Sequence, residues 1–112
     1  MMKTILVVGR EWKFRALLRA QLREEGYHAL GFETLQDAES EATGAAALIF
    51  DTSEASPTDW QPVLQRLAAQ LPVIVVASTS EEVTVAGARL LRRPLSLGDI
   101  INVVRELASA AL

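Results

Sequence analysis

Several charged residues directly follow apolar runs of the sequence, where side chains are placed to bind a ligand or take part in a reaction. Asp51 follows "ALIF", Arg10 follows "ILVVG", and Arg93 follows "ARLLR". A carboxylate at such a position can hold a cation or pair with a guanidinium group. Two unit charges about 4 Å apart interact by about 4 kcal/mol at an effective dielectric constant of about 20. An arginine beside Asp51 therefore opposes a divalent cation, and we expect Arg10, Arg93 or both to pair with Asp51.

The elements that position these residues follow from hydrophobic patterning. Three aliphatic runs predict strands that are buried on both faces, as the central strands of a parallel sheet must be: "ILVV" (5–8), "ALIF" (47–50) and "VIVVA" (73–77). Two weaker strands are predicted at 27–32 and 88–92. Helical patterns lie between the strands, over 11–25, over 34–42, from Asp59 or Trp60, and from the capping residue Ser96.

This alternation predicts an α/β fold of the flavodoxin-like type, in which a doubly wound five-stranded parallel sheet carries helices on both faces. Open sheets of this kind place their site beyond the carboxyl ends of the strands, where the strand order reverses. In the common order 2-1-3-4-5, that point lies between the first and third strands. Gly9 and Arg10 are therefore expected beside Asp51.

Length and composition limit the possible classes of protein. The 112 residues suit one domain, 1–112, and 50% hydrophobic with 22% charged residues is typical of a folded globular chain. A net charge of −3 argues against general nucleic-acid binding, which needs a basic face. The lack of cysteine excludes disulfides, thiol catalysis and cysteine-based zinc sites. No apolar run is long enough to span a membrane and no signal peptide is recognisable, so we expect a cytoplasmic protein without a membrane partner.

The whole chain resembles the CheY-like receiver domain of two-component response regulators. Five stretches carry the resemblance, in the right order and spacing: "ILVVGRE", "GYHALGFETLQDAES", "ALIFDTS", "LPVIVVAS" and "RRPLSLGDI". The resemblance implies a phosphoacceptor aspartate at the end of strand three and an acidic pair after strand one that holds Mg²⁺. It also implies a hydroxyl residue at the end of strand four and a lysine before the proline that follows strand five.

The acidic part of this pattern is incomplete. Asp51 matches the phosphoacceptor, but the acidic pair falls on Gly9 and Arg10, and Glu11 matches an acidic residue that points away from the site. Mg²⁺ needs oxygen ligands in near-octahedral geometry, so we expect its binding to be weak or absent. We interpret Asp51 as an inert acid rather than a phosphoacceptor. Arg10 is either a built-in counter-ion or a solvated turn residue.

The switch positions also depart from the pattern. The hydroxyl position falls on Ala77, with Ser78 one residue late, and the lysine position falls on Arg93, before Pro94. The resemblance implies a cis peptide bond before Pro94, and Arg93 can have a purely structural role. The connection 78–87 is too short for a full fourth helix. We therefore predict that this helix is missing or is shortened to one or two turns, with Ser78 or a threonine as its cap.

Three further features have simple structural interpretations. His28 is predicted to be a surface residue of an edge strand. Trp12 and Trp60 start helices next to the site and are interpreted as local packing, with a role beside the pocket as the alternative. A solvated helix face is predicted for a row of arginines spaced four residues apart: Arg15, Arg19 and Arg23.

These features together predict a receiver-like signalling module with a degenerate pocket, which acts by contact with a protein partner or an output domain, needs no cofactor and has no catalytic role. Homodimerisation is an open possibility. The helical "ELASAAL" segment at 106–112 suggests the N-terminal module of a larger regulator. One alternative is a working receiver phosphorylated on Asp51 by a histidine kinase, with Glu11 contacting the metal. A second is a nucleotide- or flavin-binding domain, although "GREWKF" has no phosphate-binding glycine motif.

Overall fold

The computed structural model describes residues 2–110, so the last two residues of the predicted helical segment 106–112 lie outside the described range. Five strands alternate with helices along the chain. The strands are β1 (Thr4–Val8), β2 (His28–Phe32), β3 (Ala47–Asp51), β4 (Val73–Ala77) and β5 (Arg89–Arg92). The helices are α1 (Trp12–Glu24), α2 (Leu35–Ala38), a 3₁₀ helix (Glu39–Gly44), α3 (Pro57–Ala68) and α4 (Leu97–Ala110).

All strands are parallel, and their order is β2-β1-β3-β4-β5. This confirms the predicted doubly wound sheet with the order 2-1-3-4-5. Val8 pairs with Phe50 and Asp51 pairs with Val76, so β1, β3 and β4 end at nearly the same level. The residues that follow β1 therefore lie next to Asp51, at the reversal of strand order.

Two apolar layers hold the helices against the sheet. On one face, Leu6 and Val8 pack with residues of α2 and α3, and on the other, Ile5 and Val7 pack with residues of α1 and α4. Neighbouring strand residues point to opposite faces, which is why the central strands are aliphatic throughout. Each large aliphatic side chain buried in this way contributes about 1.5–3 kcal/mol to stability. No helix within residues 2–110 is long and apolar enough to cross a lipid bilayer.

The ends of the helices agree only in part with those predicted from the sequence. Ser96 and Asp99 form a reciprocal capping box, with 3.1 Å from the Asp99 amide to Ser96 Oγ and 2.9 Å from the Ser96 amide to the Asp99 carboxylate. The helix predicted over 34–42 is wrong in part, because only Leu35–Ala38 is α-helical before the chain tightens into the 3₁₀ helix. The start predicted at Asp59 or Trp60 was also late, because Pro57 suits the first turn and α3 begins there.

The fourth helix of the resembled receiver domains is missing between β4 and β5, which confirms the prediction that it is shortened or missing. Residues 78–88, which we call the strap, contain turns and irregular backbone but no helix or strand. Glu81 and Arg92 hold the strap in this form: Glu81 Oε1 accepts from the Ser78 amide, and Arg92 Nη1 donates to the carbonyls of Ser78 (2.8 Å) and Glu81 (2.6 Å). The predicted helical turn capped by Ser78 is therefore wrong, because side chains satisfy the backbone groups that a helix would otherwise bond.

Candidate functional site

Asp51 is the last residue of β3, and its side chain is fully buried (0% exposed). Its Oδ1 atom accepts two hydrogen bonds, one from Arg93 Nη1 at 3.0 Å and one from the Ser53 amide at 3.0 Å. Its Oδ2 atom is buried and has no hydrogen-bond partner within residues 2–110. The carboxylate is thus neutralised through one oxygen while the other is left without a donor.

Arg93 makes the ion pair with Asp51 that the sequence predicts for Arg10, Arg93 or both. The Arg93 amide donates to the carbonyl of Ala77 (2.8 Å), which positions the residue at the end of β4. The guanidinium carbon lies 5.1 Å from the centre of the Phe14 ring, a cation–π distance. The peptide bond between Arg93 and Pro94 is cis, as the resemblance implies.

Gly9 faces Asp51 at a distance that leaves little room for a Cβ atom. A Cβ atom placed on Gly9 would lie 3.0 Å from Asp51 Cβ and 3.6 Å from Asp51 Oδ2. The Gly9 amide donates to the Phe32 carbonyl at 3.0 Å, which fixes the backbone here. The glycine therefore lets β1 approach β3 closely where relatives of the resembled type would carry an acid.

Arg10 does not take part in the ion pair with Asp51. Its side chain is exposed and makes no hydrogen bond or salt bridge in the described part of the chain. It lines a small cavity of about 40 Å³ together with Glu33, Asp59 and Trp60. Of the two alternatives, the structure favours Arg10 as a solvated turn residue over Arg10 as a counter-ion of Asp51.

Glu11 serves as the N-cap of α1. Its carboxylate accepts from the amides of Lys13 (3.3 Å) and Phe14 (2.6 Å), two of the donors that a helix start leaves without partners. Both carboxylate oxygens are therefore occupied by backbone donors. A metal contact from Glu11 would have to break this cap.

Ala77 is buried at the end of β4, and Ser78 is exposed at the start of the strap. Thr52, which follows Asp51 in the chain and which sequence reasoning missed, has a buried hydroxyl group that contacts the strap. Thr52 Oγ1 donates to Glu81 Oε1 at 2.7 Å and lies 3.3 Å from the carbonyl of Val76. No local pattern identifies this contact, because its two side chains are far apart in the chain.

This fold type implies a Mg²⁺ ion, which needs several oxygen ligands beside Asp51. The unpartnered Oδ2 of Asp51 is buried, and Gly9 and Arg10 supply no carboxylate beside it. Residues 2–110 contain no group of three or more histidine, cysteine, aspartate or glutamate residues able to hold a metal. Mg²⁺ requires several oxygen ligands, and Arg93 already supplies positive charge to Asp51, so the residues present do not fit this ion.

The other sequence predictions have mixed outcomes. His28 is exposed on the edge strand β2, as expected. Trp60 is buried, lies 5.3 Å from Phe50 between ring centres and has no partner for Nε1 within residues 2–110, whereas Trp12 is 63% exposed. The expectation of local packing is therefore correct for Trp60 and wrong for Trp12, whose ring projects from the first turn of α1.

The structure is similar to those of response regulator receiver domains. One from Sinorhizobium medicae aligns with a TM-score of 0.79 and 15% sequence identity over 99% of this chain and 98% of that chain. The signal receiver domain of a putative LuxO repressor from Vibrio parahaemolyticus gives 0.78 and 20% over 99% and 93%. The NtrC4 receiver domain gives 0.75 and 24% over 99% and 100%.

No protein-family model and no curated protein matches the chain. Similarity at this level of sequence identity is a statement about architecture. It agrees with the strand order described above. The fold of this chain is that of the CheY-like receiver domains of response regulators.

Proposed function

We propose that this protein is a receiver-like signal-transduction module that acts through protein–protein contact and does not depend on phosphorylation of Asp51. The ion pair between Arg93 and Asp51 is the observation that carries the proposal. An aspartate must present an accessible oxygen to a phosphoryl group, and negative charge on that group must be balanced by cations. Here the aspartate is already balanced and buried.

The electrostatic setting of Asp51 supports this proposal. Its Oδ1 holds two donors, and its Oδ2 is enclosed beside Gly9. An incoming phosphoryl group would have to displace the Arg93 guanidinium to reach Oδ1, and Oδ2 is buried. This displacement breaks a contact that stabilises the folded state.

The absence of the acidic pair supports the same conclusion. With Gly9 and Arg10 at its two positions and Glu11 engaged as a helix cap, Asp51 is left as a single carboxylate. We therefore propose that Mg²⁺ binds weakly or not at all. The proposal assigns the chain no cofactor and no catalytic role, and leaves signalling to contacts with a protein partner or an output domain.

Beryllofluoride is a suitable probe, because the NtrC4 receiver domain has been described in a beryllofluoride-activated form. The test is to incubate the protein with beryllofluoride and millimolar Mg²⁺ and record fluorine NMR and amide NMR spectra. We expect no bound fluoride signal and unchanged amides around Asp51. Intact-mass spectrometry after treatment with acetyl phosphate should likewise show no phosphoryl adduct.

The Asp51→Asn variant is the matched control. A fluoride signal that requires Mg²⁺ and disappears in Asp51→Asn would overturn the proposal and assign a working receiver phosphorylated by a histidine kinase. A thermal shift with ATP or flavin mononucleotide would instead favour the nucleotide- or flavin-binding alternative. The native amide spectrum of the same samples shows that a negative result does not come from unfolding.

A further inference from the structure

The small cavity beside Arg10 lies at the carboxyl end of the sheet, and we call it the Trp60 cavity. Its lining residues come from the ends of β1, β2 and β3 and from the first turns of α2 and α3. The buried part of the lining is apolar and includes Leu35, Phe50 and Trp60. Asp51 and Arg93 do not line the cavity, so it is separate from the ion pair described above.

Trp60 brings to this cavity a hydrogen-bond donor that lacks an acceptor. The residue is 4% exposed, and its Nε1 atom is buried without a hydrogen-bond partner within residues 2–110. An indole N–H can only donate, and a buried donor without an acceptor destabilises the folded state. An acceptor group placed inside the Trp60 cavity would satisfy this donor.

Three charged side chains of the lining are exposed and are not paired with one another: Arg10, Glu33 and Asp59. None of them forms a salt bridge within residues 2–110. The hydroxyl groups of Thr34 and Ser56, which also line the cavity, already have hydrogen-bond partners in α2 and α3. The charged groups available to a ligand are therefore one guanidinium and two carboxylates.

The chemistry of these groups matches a ligand that carries both signs of charge. The donors of Arg10 and Trp60 are complementary to a carboxylate, whereas the acids Glu33 and Asp59 repel a simple anion and are complementary to an ammonium group. A simple carboxylate would leave both acids unpaired, and a simple amine would leave the indole without an acceptor. A short molecule with a carboxylate and an ammonium group satisfies both sets.

The size of the cavity limits how much of the ligand can enter. Its volume of about 40 Å³ is little more than the share of one molecule in liquid water, about 30 Å³. A group as small as a carboxylate fits inside, and the ammonium group has to stay at the exposed rim. A free amino acid suits this arrangement better than the end of a partner chain, because a chain terminus carries only one of the two charges.

We propose that the Trp60 cavity binds a free α-amino acid with a small side chain. The carboxylate accepts hydrogen bonds from Trp60 Nε1 and Arg10, and the ammonium group donates to Glu33 and Asp59. Such a ligand gives the module a chemical input that needs no phosphorylation. The inference holds whether or not Asp51 accepts a phosphoryl group, so the two proposals fail independently.

The test is a titration of the isotope-labelled protein with glycine, followed through its indole N–H signals by NMR. The chain has two tryptophans, and Trp12→Phe assigns the signal of Trp60. Trp12 is exposed and does not line the cavity, so this substitution leaves the cavity intact. We expect the Trp60 indole proton to move downfield and to exchange more slowly with solvent as glycine reaches millimolar concentration, because the proton gains an acceptor.

Sodium acetate and methylammonium chloride are the matched ligand controls, because each keeps only one of the two charges of glycine. At equal concentration and ionic strength, both should shift the Trp60 signal less than glycine does. An equal response to acetate would overturn the proposal in favour of a simple anion site, and an equal response to methylammonium in favour of a cation site. No shift with glycine would overturn it as well and would leave the cavity to solvent.

Variants of the rim separate a specific site from the general effect of charge. Arg10→Gln and Glu33→Gln should each weaken glycine binding roughly two- to fivefold, the range of one exposed charge pair. Lys13→Gln and Glu24→Gln remove the same charges from exposed positions of α1 outside the cavity lining, and they should leave binding unchanged. The amide spectrum of each variant reports whether it is folded. Equal losses in the rim variants and the α1 variants would sink the proposal.

Discussion

Arg93 Nη1 lies 3.0 Å from Asp51 Oδ1, and this contact joins the end of β3 to the segment that follows β5. Asp51 is fully buried, whereas the Arg93 side chain remains 32% exposed. The pair therefore fixes a charge inside the molecule while part of its partner stays in water. Solvent screening of the Arg93 side chain limits the energy of the pair. Without Arg93, however, the buried Asp51 carboxylate would have no cation bonded to it within residues 2–110.

We expect Arg93→Met to destabilise the protein by about 1–3 kcal/mol, because it leaves the buried Asp51 carboxylate without its cation. The measurement is the free energy of unfolding in urea. Arg93→Met combined with Asp51→Asn should recover part of the loss, because the charge that needs a partner is gone. Equal losses in the single and double variants would show that the ion pair itself contributes little.

Gly9 is expected to resist substitution for a steric reason. Gly9→Ala should lower the free energy of unfolding by about 1–3 kcal/mol, since the new Cβ lies 3.0 Å from Asp51 Cβ and both strands are packed. Gly44→Ala is the matched control, because a Cβ there meets no atom within 4 Å. Equal stability of the two variants in urea unfolding would contradict the close packing of β1 on Asp51.

Central strands were predictable from local sequence, whereas the choice between Arg10 and Arg93 as the partner of Asp51 was not. Both faces of β1, β3 and β4 are buried, and this requires aliphatic side chains at consecutive positions, a pattern that is visible in the sequence. Arg10 and Arg93 are equivalent candidates by position in the sequence. The Ala77 carbonyl and the Phe14 ring, both distant in the chain, direct Arg93 to Asp51.

Two finer predictions were wrong for a related reason: the short helical turn in 78–88, and the solvated face at Arg15 and Arg19, which are half-buried. In 78–88, serine and threonine before two glutamates are typical of a helix cap, but long-range bonds from Thr52 and Arg92 determine the conformation. The four-residue period of the arginines is typical of a solvated face. In the sequence, Gly31 is a local sign that another group approaches the strand closely. That group is the side chain of Arg19, which belongs to α1.

The exposed pair of Arg89 and Glu106 gives a prediction about pH. The hydrogen bond from Arg89, at 3.0 Å, and then its charge lower the pKa of Glu106 below the ordinary value of 4.5. A lowered pKa in the folded state means that the pair stabilises the fold above the unfolded pKa and that this contribution is lost as the pH falls through the folded pKa. Carboxyl NMR titration should show a higher pKa for Glu106 in Arg89→Gln and no change in Arg66→Gln. A pKa that stays low in Arg89→Gln would assign the shift to another group.

Thr52 should control the mobility of the strap. Its hydroxyl donates to Glu81 Oε1 at 2.7 Å, and the same carboxylate oxygen accepts from the Ser78 amide at 3.3 Å, so one side chain connects the end of β3 to the strap. Thr52→Val keeps the shape of the residue but removes the donor, which should cost about 1–2 kcal/mol and leave the Glu81 carboxylate less restrained. Hydrogen exchange in 78–88 should then become faster while exchange in β1 and β3 is unchanged. Thr84→Val, at an exposed position of the strap, is the control expected to have no such effect. If both variants speed exchange equally, the strap is held by Arg92 and its backbone contacts alone, and the link from β3 has no mechanical role.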